Sequence, residues 1–157
     1  KGIIHGDLFP DNVLGRDGEV IAILDFEESC KNYLALDIAM TFVGFGWSDG
    51  EPITERWQAI IAGYESIRKL NESERNALPH LHRYATLSIA AWRYWQFVMN
   101  IPNTEYSDRY VEMISRLEKN LPFSDEEFDG VMLQICTDIG RASLLSTCRT
   151  SGTYINS

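Results

Sequence analysis

The sequence predicts an α+β fold that is mostly helical and carries one small β-hairpin near its start. Two observations predict it: the extended, β-branched segments all precede residue 27, and the chain after residue 33 has helical periodicity. The length of 157 residues, of which 45% are hydrophobic and 24% charged, is that of one ordinary globular domain. We therefore expect a single domain with a buried core.

The hairpin is predicted from two extended segments joined by a tight turn. Val13 and Leu14 form the first arm, and Val20 to Leu24, within the extended run EVIAILDF at residues 19–26, form the second. The Asp-Gly pair in the intervening GRDGE is typical of two-residue hairpin turns. The Val, Ile and Leu content of the second arm favours a buried strand. A further extended segment at residues 2–4 leads into a polar loop, which we expect to enter this small sheet.

Three helices are predicted directly after the hairpin. The first spans Tyr33 to Phe45, and the second begins at Thr54, whose hydroxyl can cap it. Asn71 and Glu74 have the spacing of a capping box for a short third helix that stops near Pro79.

Further helices are predicted in the second half of the chain. The run from Leu81 to Met99 is apolar around most of its circumference, so we expect a helix buried inside the domain. An amphipathic helix is expected over residues 106–121, and a capping box, Ser124 with Glu127, opens a last one ending near residue 135. Residues 137–157 are rich in Ser and Thr, so residues 1–136 would form the folded lobe and the remainder a loose tail.

Charge and composition exclude several classes of partner. The net charge of −9, without any Lys/Arg cluster, argues against nucleic acid, which needs a basic surface. No apolar run approaches the roughly 20 residues of a membrane span. The three cysteines, at positions 30, 136 and 148, are widely spaced and suit reduced thiols in a cytosol. We expect a cytoplasmic protein with neither a nucleic-acid nor a membrane partner.

The run HGDLFPDN at residues 5–12 carries the strongest chemical signal. Phosphoryl transfer from ATP needs a carboxylate to accept a hydroxyl proton, and an amide with a second carboxylate on Mg²⁺. Protein kinases supply these groups as D-x-x-x-x-N, followed by Asp-Phe at the end of a hairpin strand. Asp7 and Asn12 have that spacing, and Asp25 with Phe26 closes the next strand. Spacing, order and context together predict a kinase site.

A purely structural interpretation competes at each position. Asp7, Asp11 and Asn12 belong to residue types whose side chains often bond their own backbone in turns. With Asp25 at its expected place, the kinase interpretation is favoured for Asp7 and Asn12. Asp11 is left as a turn residue without a ligand role.

Three runs in order, HGDLFPDNVL, AILDFEE and LALDIAM, resemble the aminoglycoside phosphotransferase and choline kinase superfamily, and within it the type II homoserine kinases. The resemblance implies a protein-kinase-like C-terminal lobe, in which a small β-hairpin carries the catalytic loop. It implies ATP and Mg²⁺ as cofactors and a small-molecule hydroxyl acceptor, with homoserine the first choice. It also implies an N-terminal lobe that completes the nucleotide cleft, so we expect this chain alone to be inactive.

The resemblance also implies residue roles. Asp7 would be the catalytic base, while Asn12 and Asp25 would hold Mg²⁺ on the ATP phosphates. His5 would support the loop backbone, and Asp37 matches a position that ties its helix to the catalytic loop. A carboxylate in a first helical turn is also favoured by the helix dipole, so a structural role is preferred for Asp37.

Other side chains are weaker candidates. Glu27 could meet a substrate ammonium or simply be solvated, and Trp47 could lie near the site. Arg93 could meet a substrate carboxylate or cover its helix, and the second role is favoured. His80 and His82 are two residues apart, cannot chelate a metal together as an i, i+4 pair could, and are assigned to the surface.

Two other functions stay open. The acceptor could be an aminoglycoside, a choline-like molecule or another amino alcohol. Alternatively, the chain could be a truncated product that acts only as a binding module. In-frame coding DNA upstream of Lys1 for a Gly-containing hairpin and a lysine-bearing strand would favour the kinase over the binding module.

Overall fold

The computed structural model describes residues 1–102, 105–119 and 121. The predicted helix at residues 124–135 and the predicted tail at residues 137–157 lie outside this part. Within it, the mostly helical α+β architecture is confirmed. The elements in chain order are β1 (Gly2–Ile4), β2 (Val13–Arg16), β3 (Glu19–Ile23), β4 (Cys30–Asn32), α1 (Leu34–Phe45), β5 (Trp47–Ser48), β6 (Glu51–Pro52), α2 (Thr54–Ile67), α3 (Glu72–Tyr94) and α4 (Arg109–Arg116).

The strands form three antiparallel pairs, β1 with β4, β2 with β3 and β5 with β6. The predicted hairpin is β2 with β3, and it is confirmed. Its turn residues Asp17 and Gly18 have φ angles of 53° and 83°, the left-handed pair that a two-residue I′ turn needs.

The prediction that the second arm of the hairpin is buried is wrong. Val20, Ile21 and Ile23 are 66%, 54% and 43% exposed. Successive strand residues point to opposite faces, so both faces of the hairpin are accessible within the described part of the chain. An apolar composition makes a strand suited to burial, but the strand is buried only where another layer of the fold packs over it.

The core forms where α1 packs against α2 and α3. α1 confirms the first predicted helix. α2 confirms the second, but Ile53 occupies the N-cap position and Thr54 is already helical, so the predicted threonine cap is wrong. The side chains at the centre of the core are the fully or almost fully buried Ile38, Ala39, Phe42, Val43, Trp57, Leu81, Ala85 and Met113.

α3 replaces the two helices predicted on either side of Pro79. Its capping box is confirmed, because Asn71 Oδ1 accepts from Glu74 N at 2.9 Å and Glu74 accepts from Asn71 N at 3.1 Å. The helix nevertheless continues through Pro79 to Tyr94. Proline inside a helix costs about 3 kcal/mol. Here Leu78 and Pro79 are themselves buried, and core packing along the same helix offsets that cost.

The expected burial of residues 81–99 fails toward their end. Trp92 and Trp95 are 54% and 51% exposed, and the helix widens into a π-helical segment over Trp95–Asn100. The amphipathic helix predicted over 106–121 is shorter, since α4 covers only Arg109–Arg116.

The assignment of His80 and His82 to the surface is wrong, because both are buried. His82 stacks on Trp47, with ring centroids 5.8 Å apart, and its Nε2 accepts a hydrogen bond from Trp47 Nε1 at 3.4 Å. Burial, with the nearby charges of Arg116 and Arg83, lowers the pKa of His82 to about 3. It is therefore a neutral core residue.

The C-terminal end of α1 is fixed by two arginines from other parts of the chain. Arg116 of α4 donates to Val43 O at 2.9 Å, and Arg56 of α2 donates to Phe45 O at 3.3 Å. These bonds satisfy carbonyls that have no partner inside the helix.

Among the helices that the structure describes, none combines the length and the apolar character needed to cross a membrane.

Candidate active site

The loop between β1 and β2 brings Asp7 and Asn12 into direct contact. Asn12 Nδ2 donates to the Asp7 carbonyl oxygen at 2.8 Å and to Asp7 Oδ2 at 3.0 Å. A short 3-10 turn over Pro10–Asn12 makes this possible, since Asn12 N also bonds Phe9 O at 3.0 Å. The amide nitrogen of Asn12 is thus engaged with Asp7, and its oxygen is the atom that a cation would use.

Asp37, in the first turn of α1, holds the start of this loop. Its Oδ2 accepts from His5 N at 2.8 Å and its Oδ1 from Gly6 N at 2.9 Å. Gly6 has a φ of 88°, and a Cβ there would lie 2.8 Å from Glu28 O. Only glycine fits this backbone, which passes between α1 and the segment preceding β4.

His5 connects the loop to the end of the hairpin. Its Nδ1 accepts from Asp7 N at 3.3 Å, so the ring proton lies on Nε2, which donates to Leu24 O at 2.8 Å. Leu24 N in turn donates to Asn12 O at 2.9 Å. Leu24 directly precedes Asp25, so both polar groups of its backbone fix that aspartate against the loop.

Asp25 has a left-handed backbone with a φ of 58°. This conformation costs a non-glycine residue roughly 1–2 kcal/mol and is concentrated at functional sites. The next side chain, Phe26, lies against the His5 ring with centroids 4.7 Å apart. Asp25 thus lies between two residues that contact the loop: Leu24 through its backbone and Phe26 through its ring.

The electrostatic environment of Asp7 suits a proton acceptor. Partial burial raises the pKa of its carboxyl above the ordinary value, and the charges of Asp11 and Asp25 raise it further. The hydrogen bond from Asn12 and the proximity of His5 lower that pKa and so limit the rise. A carboxylate with a raised pKa binds a proton more strongly and is the better general base.

The donor atoms near Asp7 suit Mg²⁺. The Asn12 amide oxygen and the Asp25 carboxylate are hard oxygen ligands, which this ion prefers. In the residues that the structure describes, no group of three or more His, Cys, Asp or Glu side chains could hold a metal. Mg²⁺ commonly takes only one or two carboxylates and completes its shell with water and substrate phosphates, so this small donor set fits it.

The three weaker candidates lie in different surroundings. Glu27 follows Asp25 by two residues and is exposed in a turn. Trp47 is only 5% exposed and packs on the Trp57 and His82 rings, so it offers a substrate little surface. Arg93 donates to Arg109 O at 3.0 Å and pairs with Glu112 on α4. This pairing favours the structural role for Arg93.

Sequence reasoning did not single out Leu24 or Gly6, although both hold the site together. Leu24 acts through its backbone, which no side-chain pattern reveals. Gly6 lies inside the motif, between Asp7 and the buried His5, and an isolated glycine just after an extended segment is a signal for close backbone approach.

Residues 1–70 match the model of the family described as "phosphotransferase enzyme family". Over 99 residues, 62% of this chain, the sequence is 43% identical to a homoserine kinase of Gluconacetobacter diazotrophicus, of which it covers 31%. Over a segment of the same length it is 35% identical to a homoserine kinase of Gluconobacter oxydans. It is 36% identical over 102 residues to one of Xanthobacter autotrophicus, of which it covers 32%. The chain spans about a third of the length of these relatives.

Proposed function

We propose that the complete gene product is a homoserine kinase, on the premise that residues 1–70 match the model of the phosphotransferase enzyme family. It transfers the γ-phosphoryl group of ATP to the hydroxyl of homoserine, and this chain supplies the protein-kinase-like C-terminal lobe with the catalytic loop. The relatives named homoserine kinase support this choice of acceptor. A cytoplasmic location belongs to the same proposal.

One observation carries the proposal: Leu24 bonds His5 through its carbonyl and Asn12 through its amide, at 2.8 and 2.9 Å. These two bonds bring the residue that precedes Asp25 onto the loop of Asp7. The proton acceptor and both proposed metal ligands thereby become one unit, as phosphoryl transfer requires.

In the proposed reaction, Asp7 accepts the proton of the acceptor hydroxyl. The hydroxyl oxygen forms its bond to the γ-phosphorus as the bond to ADP breaks, and ADP leaves. Asn12 Nδ2 orients the Asp7 carboxylate by donating to Asp7 Oδ2, and His5 Nδ1 accepts the hydrogen bond of the Asp7 backbone N–H. Asn12 and Asp25 would hold Mg²⁺, which when bound neutralises charge on the phosphates.

We assign the ammonium group of homoserine to the exposed carboxylate of Glu27, which follows Asp25 by two residues. Glu28, its neighbour in the same turn, is a matched control because it is also exposed. Glu27→Gln should raise KM for homoserine several-fold more than Glu28→Gln does. Equal effects of the two substitutions would remove Glu27 from the site.

The central test measures ADP release by the complete gene product with homoserine, choline and kanamycin as acceptors. Homoserine should give the highest kcat/KM, and Asp7→Asn should lower kcat by about 10² or more, since general-base catalysis is worth that much. Asp11→Asn, in the same loop, should retain most of kcat. A fully active, folded Asp7→Asn enzyme would refute the role of Asp7, and preference for another acceptor would refute homoserine.

A further inference from the structure

Helix α1 touches the catalytic loop at two places along one face. Asp37 in its first turn binds the backbone before Asp7, and Gly44 in its last turn abuts Phe9 and Pro10, between Asp7 and Asn12. Asp37 and Gly44 are seven residues apart, about two turns, so they share a face of the helix. The loop therefore runs along α1 between these contacts.

The contact at Gly44 depends on the absence of a side chain. A Cβ there would lie 3.1 Å from Pro10 Cδ, 3.2 Å from Phe9 Cδ1 and 3.3 Å from Phe9 Cα. Ordinary carbon contacts need about 3.5 Å or more. The Phe9 ring could rotate, but Phe9 Cα and the Pro10 ring belong to the backbone or are locked to it. A Cβ could be accommodated only by moving the loop or the helix.

The helix cannot easily move away at this point. The neighbouring Val43 is buried, and its carbonyl accepts from Arg116 of α4 at 2.9 Å. The loop is the softer side, but it is bonded to the site. Phe9 N donates to Asp7 O, and Asn12 N donates to Phe9 O, both at 3.0 Å. A displacement of Phe9 would therefore reach Asp7 and Asn12 directly.

We propose that Gly44 is a positioning residue: the close approach of α1 to Phe9 and Pro10 sets the separation between Asp7 and Asn12. This inference rests on the proposed function for its kinetic consequence, while its structural consequence can be measured without any activity. Ala is the better helix former, so an alanine at position 44 should not weaken the helix itself. Any harm from it must come from the contact with the loop.

Gly63 in α2 is the matched control, because a Cβ there would meet nothing within 4 Å. Gly44→Ala and Gly63→Ala make the same chemical change in two helices. In the 157-residue chain, the side-chain amide NMR signals of Asn12 should shift in Gly44→Ala and stay at their wild-type positions in Gly63→Ala. Amide signals of Asn12 that do not move in Gly44→Ala would overturn the inference.

The kinetic arm uses the complete gene product. Gly44→Ala should lower kcat or raise the Mg²⁺ concentration for half-maximal rate by about tenfold, because small displacements of catalytic groups have effects of this size. KM for homoserine should change little, and Gly63→Ala should match the wild type in all three quantities. Equal kinetics of the two alanine variants would overturn the inference, whereas a wild-type enzyme without kinase activity would instead refute the proposed function.

A second-site substitution tests the contact itself. Pro10→Ala removes the Cδ atom that an alanine at position 44 would meet first. In a double-mutant cycle, the Gly44→Ala effect on the Asn12 signals should be smaller in the Pro10→Ala background than in the wild type. If Gly44→Ala alone fails to fold, the Gly44→Ala/Pro10→Ala double variant should fold, and this recovery serves as the same test. Additive effects of the two substitutions, or a double variant that also fails to fold, would count against the contact.

Discussion

The side-chain amide of Asn12 donates to both the carboxylate and the carbonyl oxygen of Asp7, at 3.0 and 2.8 Å. One nitrogen thus fixes the orientation of the Asp7 side chain and the shape of the loop that carries it. Hydrogen bonding to the ionised form also opposes the rise in the Asp7 pKa that burial causes. Geometry and proton affinity are therefore set by the same contact.

Asn12→Ala and Asp11→Asn should move the pKa of Asp7 in opposite directions. Loss of the Asn12 hydrogen bond should raise the pKa, and loss of the Asp11 charge should lower it. Carboxyl ¹³C NMR titration of the 157-residue chain measures both changes. For the proposed kinase activity, the acidic limb of kcat/KM should follow the lower pKa in Asp11→Asn. Shifts of the same sign in both variants would contradict this account.

Asp37→Asn should destabilise the chain more than a matched change in another helix. It replaces one acceptor oxygen with a donor and leaves a loop N–H without its partner, which costs about 1–3 kcal/mol. Glu55 occupies the first turn of α2 and shares only the favourable helix-dipole position. Glu55→Gln should cost a few tenths of a kcal/mol. Urea unfolding compares the two, and equal losses would reduce Asp37 to a helix-dipole residue.

Asp25→Gly should be more stable than Asp25→Ala by about 1 kcal/mol, because glycine accepts a φ of 58° without strain. Asp49 has a φ of 51° and provides the same comparison away from the loop. Both pairs should show a similar difference in thermal unfolding. Mg²⁺ titration should separate the positions, since only the Asp25 variants should lose binding in the complete gene product.

His82 should make stability depend on pH. Its folded-state pKa of about 3 lies below its ordinary value, so the folded state keeps it neutral while the unfolded state takes up a proton. This contribution to stability is fully present above about pH 6.5 and is lost as the pH falls toward 3. The loss between pH 6.5 and 5 should be on the order of 1–2 kcal/mol.

The measurement for His82 is the difference between wild type and His82→Phe in denaturant unfolding at pH 7.5 and at pH 5. A difference removes the contribution of carboxylates, which titrate in both proteins. The wild type should lose more stability than the variant on acidification. Parallel losses would show that His82 is not held neutral by the core.

Several features that depend on local chemistry are predicted correctly from the sequence, although the Thr54 cap, which is equally local, is not. The Asp-Gly turn, the hairpin and the capping box of Asn71 with Glu74 require only neighbouring residues, and all three are confirmed. Prediction from the sequence failed where tertiary packing decides. Pro79 is a strong local stop signal, but the packed residues around it continue the helix. His80 and His82 are assigned to the surface from the sequence, but both are buried in the core.

The candidate site shows the same division. The spacing of Asp7, Asn12 and Asp25 could be read from the sequence, whereas the contacts that bring Asp25 to the loop could not. Those contacts use the backbone of Leu24, and backbone groups are identical in every residue. Arg93 was open between two roles because its partner Glu112 lies on another helix, and only folding brings them together.

The exposed hairpin has a consequence for how this chain behaves in solution. Val20, Ile21 and Ile23 present apolar surface on two opposite sides of a thin ribbon, which favours strand-to-strand association between molecules. The net charge of −9 opposes that association by keeping copies apart. Acidification and high salt both weaken this repulsion, the first by neutralising carboxylates and the second by screening. Colloidal stability of the chain is thus greatest at low ionic strength and above neutral pH.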